Sequence, residues 1–189
     1  MNATTHAVFG VAALAGSCLL VGEVPPLYAY PVAAVSAWVP DVDNPRSRLG
    51  NGLSRTKSPI LNAVLCPASW ALRAVSFTLF RTVGHRTLTH SLLGIALFVV
   101  LVSPLAPLSP DLFLALVAGY ASHLLADALN TKGVPLLWPA GRRMRLLPRG
   151  VRSGGIAEFV VALVAMMAAG YGIYALHPAL TRAFAHGAF

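Results

Sequence analysis

Eight residues carry the chemistry open to this chain: His6, Asp41, Asp43, His85, His90, His123, Asp127 and Glu158. Four imidazoles and four carboxylates form a ligand set for borderline or hard divalent cations. His123 and Asp127 stand four residues apart, so on a helix both project from one face and can share an ion. Asp41 and Asp43 follow Pro40 and precede Pro45, where extended backbone would aim both carboxylates the same way. Eight ligands exceed one tetrahedral site. They suit two ions, or three, sharing a bridging carboxylate, with zinc the first expectation and manganese the second. Arg86 lies between His85 and His90 and is a candidate for gripping a phosphate. Each residue alone has a plainer reading: a histidine hydrogen-bonded at a helix end, an aspartate in an Asx-turn, Glu158 as a favourable charge in a helix's first turn. The eight together change the balance because of where they fall.

The elements that must position them are apolar. Of 189 residues, 57% are hydrophobic and 11% charged, against roughly 25% charged in an ordinary soluble domain. Mean hydropathy is +0.71. So few charges cannot solvate a surface, which excludes a water-soluble globule, a disordered chain and a disulfide scaffold. Cys18 and Cys66 lie in separate apolar stretches without metal spacing and are expected to be buried free thiols. No Lys or Arg precedes the first apolar run, so the start does not read as a signal peptide. Apolar helical segments are expected over 6–22, 26–40, 88–105, 112–129 and 156–176, each near or a little below the ~20 residues that span hydrocarbon. The stretch 58–80 contains Pro67 and Arg73 and is expected to lie in the interface or to re-enter. The predicted fold is all-α: a polytopic helical bundle of about five spans plus that segment. It forms one membrane-embedded domain over 1–176, with a short tail over 177–189.

Basic residues orient the bundle. The net charge is +8, and twelve of the fourteen Lys and Arg residues lie in loop 41–57, just before residue 88, or in loop 130–155. Alternating five spans puts these regions on one side, and the positive-inside rule makes that side cytoplasmic. All eight ligand candidates then sit at the cytoplasmic ends of their spans. His6 opens the first, Asp41 and Asp43 close the second, and His85 and His90 flank the start of the third. His123 and Asp127 end the fourth, and Glu158 opens the fifth. Ionisable groups at membrane depth are costly unless paired or metal-bound, so such a layer is a functional hypothesis by default.

Three blocks carry a resemblance: Pro40-Asp41-Val42-Asp43-Asn44-Pro45, Gly84-His85-Arg86-Thr87-Leu88-Thr89-His90-Ser91, and Gly119-Tyr120-Ala121-Ser122-His123-Leu124-Leu125-Ala126-Asp127. Together they resemble the YdjM-like family of bacterial inner-membrane proteins, described as metal-dependent hydrolases. The match continues through Thr131–Pro139 to Gly155 and Glu158, and so covers most of the chain. That family is distantly similar to zinc-dependent phospholipase C and the P1-type nucleases, whose clustered zinc ions are held partly by a His-x-x-x-Asp pair. His123 and Asp127 fit that pair. The resemblance implies phosphoester chemistry in the bacterial inner membrane and names no substrate.

The resulting expectation is a membrane metal-dependent hydrolase that cleaves a phosphoester of a membrane lipid at the cytoplasmic face. Asp41 or Asp43 would serve as general base, and Arg86 would steady the phosphoryl oxygens. Loop 142–152 would collect anionic lipid headgroups. Two other classes remain open at this point. A metal-ion carrier or sensor would use the same ligands, although transport favours sites near the midplane. A membrane-attached nuclease would suit the net charge, but the basic loops lack an aromatic stacking run, so no nucleic-acid partner is expected. Oligomeric state is not legible.

Overall fold

Helix ends are set by local chemistry. Asn2 caps the first helix, its side-chain oxygen accepting from the Thr5 backbone N–H at 2.8 Å, and Gly22 ends it in the left-handed region with φ 73°. Ser91 caps a later helix by accepting from Gly94 N–H at 3.1 Å. Pro110 opens another at its first position, where its missing N–H is harmless. In the computed structural model, residues 1–47, 49 and 59–178 are described. They form α1 (Ala3–Val21), α2 (Ala29–Ser36), α3 (Pro59–Thr82), α4 (Leu92–Val102), α5 (Pro110–Leu129) and α6 (Ile156–Leu176), with single 3-10 turns at Val39–Asp43, Leu88–His90 and Ser103–Leu105. No strand forms among the described residues beyond two isolated bridges, Asn130 with Val151 and Val134 with Met144.

The all-α expectation is met, but the count of about five spans is not supported. Among the described residues, three helices, α1, α5 and α6, are long and apolar enough to cross a membrane. At 1.5 Å per residue they reach about 28–32 Å, the thickness of the hydrocarbon core. The expected segment 26–40 yields only the eight residues of α2, and 88–105 yields the eleven of α4 plus a 3-10 turn. These rise only about 12 and 16 Å.

α1 packs against α2, α5 and α6. Leu14, Ala15 and Cys18 of α1 meet Tyr30 and Ala33 of α2 and Ala115 and Ala118 of α5 in the core. Small residues let backbones touch. A Cβ on Gly10 would lie 2.4 Å from the Ala33 carbonyl oxygen, and one on Gly119 2.3 Å from the same atom. Glycine at both positions therefore lets α1 and α5 close on α2 from two sides. Outward faces are lined by exposed apolar residues such as Leu20, Leu101, Ile156 and Val164.

The segment expected at 58–80 is helical as α3, with Pro67 inside it. Trp70, Phe77 and Phe80 are exposed, whereas Ser69 and Ser76 are buried. α3 packs on the Val39–Asp43 turn. Cys18 is buried as expected, but Cys66 is exposed, because it lies on the outer side of α3. Loop 130–155 folds back under α5. Leu146 and Val151 donate backbone N–H to the carbonyls of Ala128 (2.8 Å) and Leu129 (2.7 Å), satisfying groups that a helix end leaves open. Arg48, Arg55, Lys57, Arg182 and His186 lie outside the described residues.

Candidate metal centre

The start of α1, the end of α5, the two 3-10 turns beside them and the turn at 85–86 bring seven of the eight predicted ligands to one place. Asp41 and Asp43 do not sit on extended backbone as expected. Both lie in the 3-10 turn Val39–Asp43, with Pro40 in its first positions. Trp38 Nε1 donates to the Ala3 carbonyl at 2.7 Å, which fixes this turn against the start of α1.

Asp43 is buried and organises the 84–90 segment. Its Oδ1 lies 2.7 Å from His85 Nδ1. Its Oδ2 accepts from the Arg86 backbone N–H at 2.9 Å and from Thr89 Oγ1 at 2.6 Å. Tyr120 of α5 donates its hydroxyl to the Thr89 carbonyl at 2.6 Å. Arg86 takes φ 59°, an uncommon value for a residue with a Cβ. That conformation turns its N–H to Asp43 while its guanidinium reaches Asp127.

His123 is fully buried at the end of α5. Its Nδ1 lies 2.6 Å from the Ala37 carbonyl. A carbonyl only accepts, so Nδ1 carries the proton and Nε2 keeps its lone pair. This is the arrangement of a metal-ligating imidazole held by a partner behind it. That Nε2 lies 3.2 Å from His90 Nε2 and 3.8 Å from both Asp41 Oδ1 and Asp127 Oδ2. His90 Nε2 lies 3.5 Å from Asp41 Oδ1. His6 stacks on His123 with ring centroids 3.8 Å apart, and its Nε2 is 3.5 Å from Asp127 Oδ1.

Ligand atoms about 2.1 Å from a tetrahedral ion stand about 3.4 Å apart, close to these separations. Among the described residues, three groups have the composition and proximity to hold an ion: His6, His123 and Asp127; Asp41, His90 and His123; and Asp41, Asp43 and His85. His123 and Asp41 each belong to two. Orphaned atoms support the fit. Both ring nitrogens of His6 are buried without a hydrogen-bond partner, as is Asp127 Oδ2. Arg86 Nη2 lies 2.7 Å from Oδ2, an ion-pair contact out of line for a hydrogen bond. The Met1 amino group contacts Asp127 Oδ1 at 3.0 Å. Buried polar atoms are rarely left unpaired, and a site for an ion is one of the accepted explanations where they are.

The charges agree. Burial alone would push the Asp41 carboxyl up, but the hydrogen bond from His90 and the nearby His123, His90 and His6 rings outweigh it and hold it down at about 2. Burial likewise opposes the Asp43 anion, and His85, His90 and Thr89 overcome it, so this carboxyl stays well below the usual range. Burial would lower the His90 pKa, yet Asp41 and Asp43 raise it above an ordinary imidazole. Carboxylates that hold a proton on His90 would equally hold a divalent cation.

Glu158 is not brought into the cluster. Its Oε1 accepts from the Asn2 backbone N–H at 2.6 Å and its Oε2 from that of Gly154 at 2.5 Å. It ties the start of α1 to the start of α6 and belongs to none of the three groups. Sequence reasoning also missed Thr89, Tyr120 and the Ala37 carbonyl. The first two lie within motif blocks already singled out, but hydroxyls bonded to a carboxylate or a carbonyl leave no periodic signal.

Fold and site define an all-α membrane protein with a buried His/Asp cluster at one end of its helices. The YdjM inner membrane protein family matches residues 1–186, and the chain belongs to that family. The YvsG protein of Bacillus subtilis (strain 168) is 31% identical over 176 residues, 93% of this chain and 96% of its own. The inner membrane protein YdjM of Escherichia coli (strain K12) is 37% identical over 120 residues, 61% of this chain and 52% of its own length. The alignment thus spans about half of that relative. No solved structure matches the chain.

Proposed function

We propose that this protein is a metal-dependent hydrolase that cleaves a phosphoester of a membrane lipid, with its active layer at the cytoplasmic face. The observation that carries the reading is the set of three ligand groups overlapping at His123 and Asp41. Shared ligands of this kind suit two or three ions, zinc before manganese, held close together as phosphoester hydrolases hold them. Such ions would supply Lewis-acid polarisation of a phosphoryl oxygen and lower the pKa of water.

The chain's own residues would do the rest. His6, Asp41, Asp43, His85, His90, His123 and Asp127 would hold the ions, and Ala37, Thr89 and Tyr120 keep those side chains oriented. Asp41 is the most open of the three carboxylates, at 24% exposure. An oxygen of Asp41, or of Asp43, that is not taken up by an ion would accept a proton as general base. Arg86 keeps Nη1 buried without a partner, a free donor for a nonbridging phosphate oxygen. The exposed basic side chains of loop 130–155, Arg143, Arg145, Arg149 and Arg152 among them, would draw anionic headgroups at about 1 kcal/mol per charge near the surface. Membership of a family described as inner membrane proteins fits the setting.

Purified protein incubated with mixed phospholipid vesicles tests the reading. Release of headgroup or phosphate that stops on chelation and is absent in Asp43→Asn supports it. Metal-loaded protein that cleaves no phosphoester contradicts it and favours a carrier or sensor.

A further inference from the structure

We infer that the guanidinium of Arg86 and a metal ion compete for the Asp127 carboxylate, so that Arg86 lets go of Asp127 as an ion enters the group of His6, His123 and Asp127. The inference rests on the metal centre of the reading above and adds what opposes the loading of that group. Arg86 Nη2 lies 2.7 Å from Asp127 Oδ2, and the Met1 amino group lies 3.0 Å from Oδ1. Oδ2 is also the oxygen 3.8 Å from both His90 Nε2 and His123 Nε2, so the guanidinium holds the oxygen that faces the imidazoles. An ion taken up by His123 and Asp127 brings two further positive charges to that carboxylate. In a buried setting, like charges at such range repel strongly.

Three features make this contact exchangeable. A settled arginine–carboxylate pair is a fork with two aligned N–H···O bonds. Here a single prong meets the carboxylate out of line, and Asp127 Oδ2 and Arg86 Nη1 are both buried without a hydrogen-bond partner. The backbone of the turn is held independently of the side chain. Asp43 accepts the Arg86 N–H at 2.9 Å, and Thr87 Oγ1 donates to the Val83 and Gly84 carbonyls at 2.9 and 2.7 Å. Release of Asp127 therefore leaves the turn in place. The Arg86 side chain is 12% exposed and that of Asp127 0%, so the arginine is the member of the pair with a way out. Asp41 and Asp43 differ. Among the described residues, no Arg or Lys side chain lies within ion-pair range of either, and their partners there are imidazoles. The group of Asp41, His90 and His123 and that of Asp41, Asp43 and His85 therefore lack this competitor.

Zinc affinity of the full chain in detergent, measured by competition with a chromophoric chelator, separates the two roles open to an arginine beside a ligand. If Arg86 orients Asp127 for the ion, its removal weakens zinc binding. If it competes, its removal strengthens zinc binding. Arg86→Ala, or Arg86→Gln should the first fail to fold, is expected to bind one equivalent of zinc about 5- to 150-fold more tightly than wild type, the usual range of coupling between two ligands. Arg81→Gln, which removes an exposed charge at the end of α3, should bind zinc as wild type does. Adding His6→Phe to Arg86→Ala keeps a ring against His123, removes the nitrogens and should cancel the gain. Unchanged or weaker binding in Arg86→Ala, an equal gain in Arg81→Gln, or a gain that survives His6→Phe overturns the inference. Binding is read without turnover. Tighter zinc in Arg86→Ala, with no phosphoester cleaved by the wild type, would leave the inference standing and sink the hydrolase reading. Vesicle hydrolysis by the wild type, with zinc affinity unchanged in Arg86→Ala, would do the reverse.

Discussion

His90 and His123 face each other Nε2 to Nε2 across 3.2 Å in a fully buried setting. The Ala37 carbonyl claims the Nδ1 proton of His123, so the Nε2 of His123 presents a lone pair to His90. Two imidazole nitrogens that both bring lone pairs would repel at this range. A cation between or beside them removes the conflict. A proton on His90 Nε2 does so by donating to His123, and a divalent ion shared with Asp41 and Asp127 would do so as well. The remaining contacts of the cluster differ in kind, and that difference makes them separable by experiment.

Glu158 should be structural. Glu158→Gln is expected to leave metal content unchanged while lowering stability by about 1–3 kcal/mol, the range for weakening a buried hydrogen-bonding group that holds two partners. Thermal unfolding in detergent, run beside metal analysis, checks both halves. Loss of an equivalent of metal in this variant would return Glu158 to the ligand set.

The close approach at Ala33 sets a second expectation. Gly119→Ala puts a Cβ 2.3 Å from a backbone oxygen, whereas a Cβ at Gly170 meets nothing within 4 Å. Overpacking of this kind costs about 1–3 kcal/mol, so Gly119→Ala should unfold at a clearly lower temperature than wild type and Gly170→Ala should match it. Equal unfolding temperatures for the two variants would mean that α5 does not need to close on α2.

Arg86 should act on turnover and not on metal retention. Arg86→Ala is expected to keep its metal and to slow phosphoester cleavage by about 30- to 1000-fold, the range for removing one donor to developing negative charge. Steady-state rates on vesicles, with metal content measured alongside, test this. Unchanged rates would remove Arg86 from substrate binding and leave it as the neutraliser of Asp127.

Orientation gives a fourth expectation. A reporter near residue 145 should read as cytoplasmic and one near residue 108 as external, because the basic residues gather at the cluster end of the helices. The opposite pattern would place the cluster on the outer face.

Much of this site was legible because charged and imidazole groups stand out in an apolar chain. The long helices were legible for the same reason. The segment read at 156–176 is α6, and those at 112–129 and 6–22 fall within three residues of α5 and α1. Hydropathy misled at α2 and α4. Trp38-Val39-Pro40 is apolar enough to extend a span on paper, yet Pro40 belongs to a 3-10 turn, and Ser103-Pro104 ends α4 early. Glu158 shows another boundary. A carboxylate at the right level looks the same in sequence whether it binds a metal or backbone amides, and only the positions of Asn2 and Gly154 separate the two. The supporting contacts of Ala37, Thr89 and Tyr120 depend on tertiary placement across 31 to 86 residues of chain, which no local pattern records.

The most direct test is the metal content of purified protein, compared with that of His123→Ala. His123 belongs to two of the three ligand groups, so the account predicts two or three equivalents of divalent metal, zinc first, in the wild type. It predicts the loss of at least one equivalent in the variant, with membrane insertion intact because insertion follows hydropathy. Wild-type protein that binds no divalent metal, or a His123→Ala variant that retains the full complement, would contradict it.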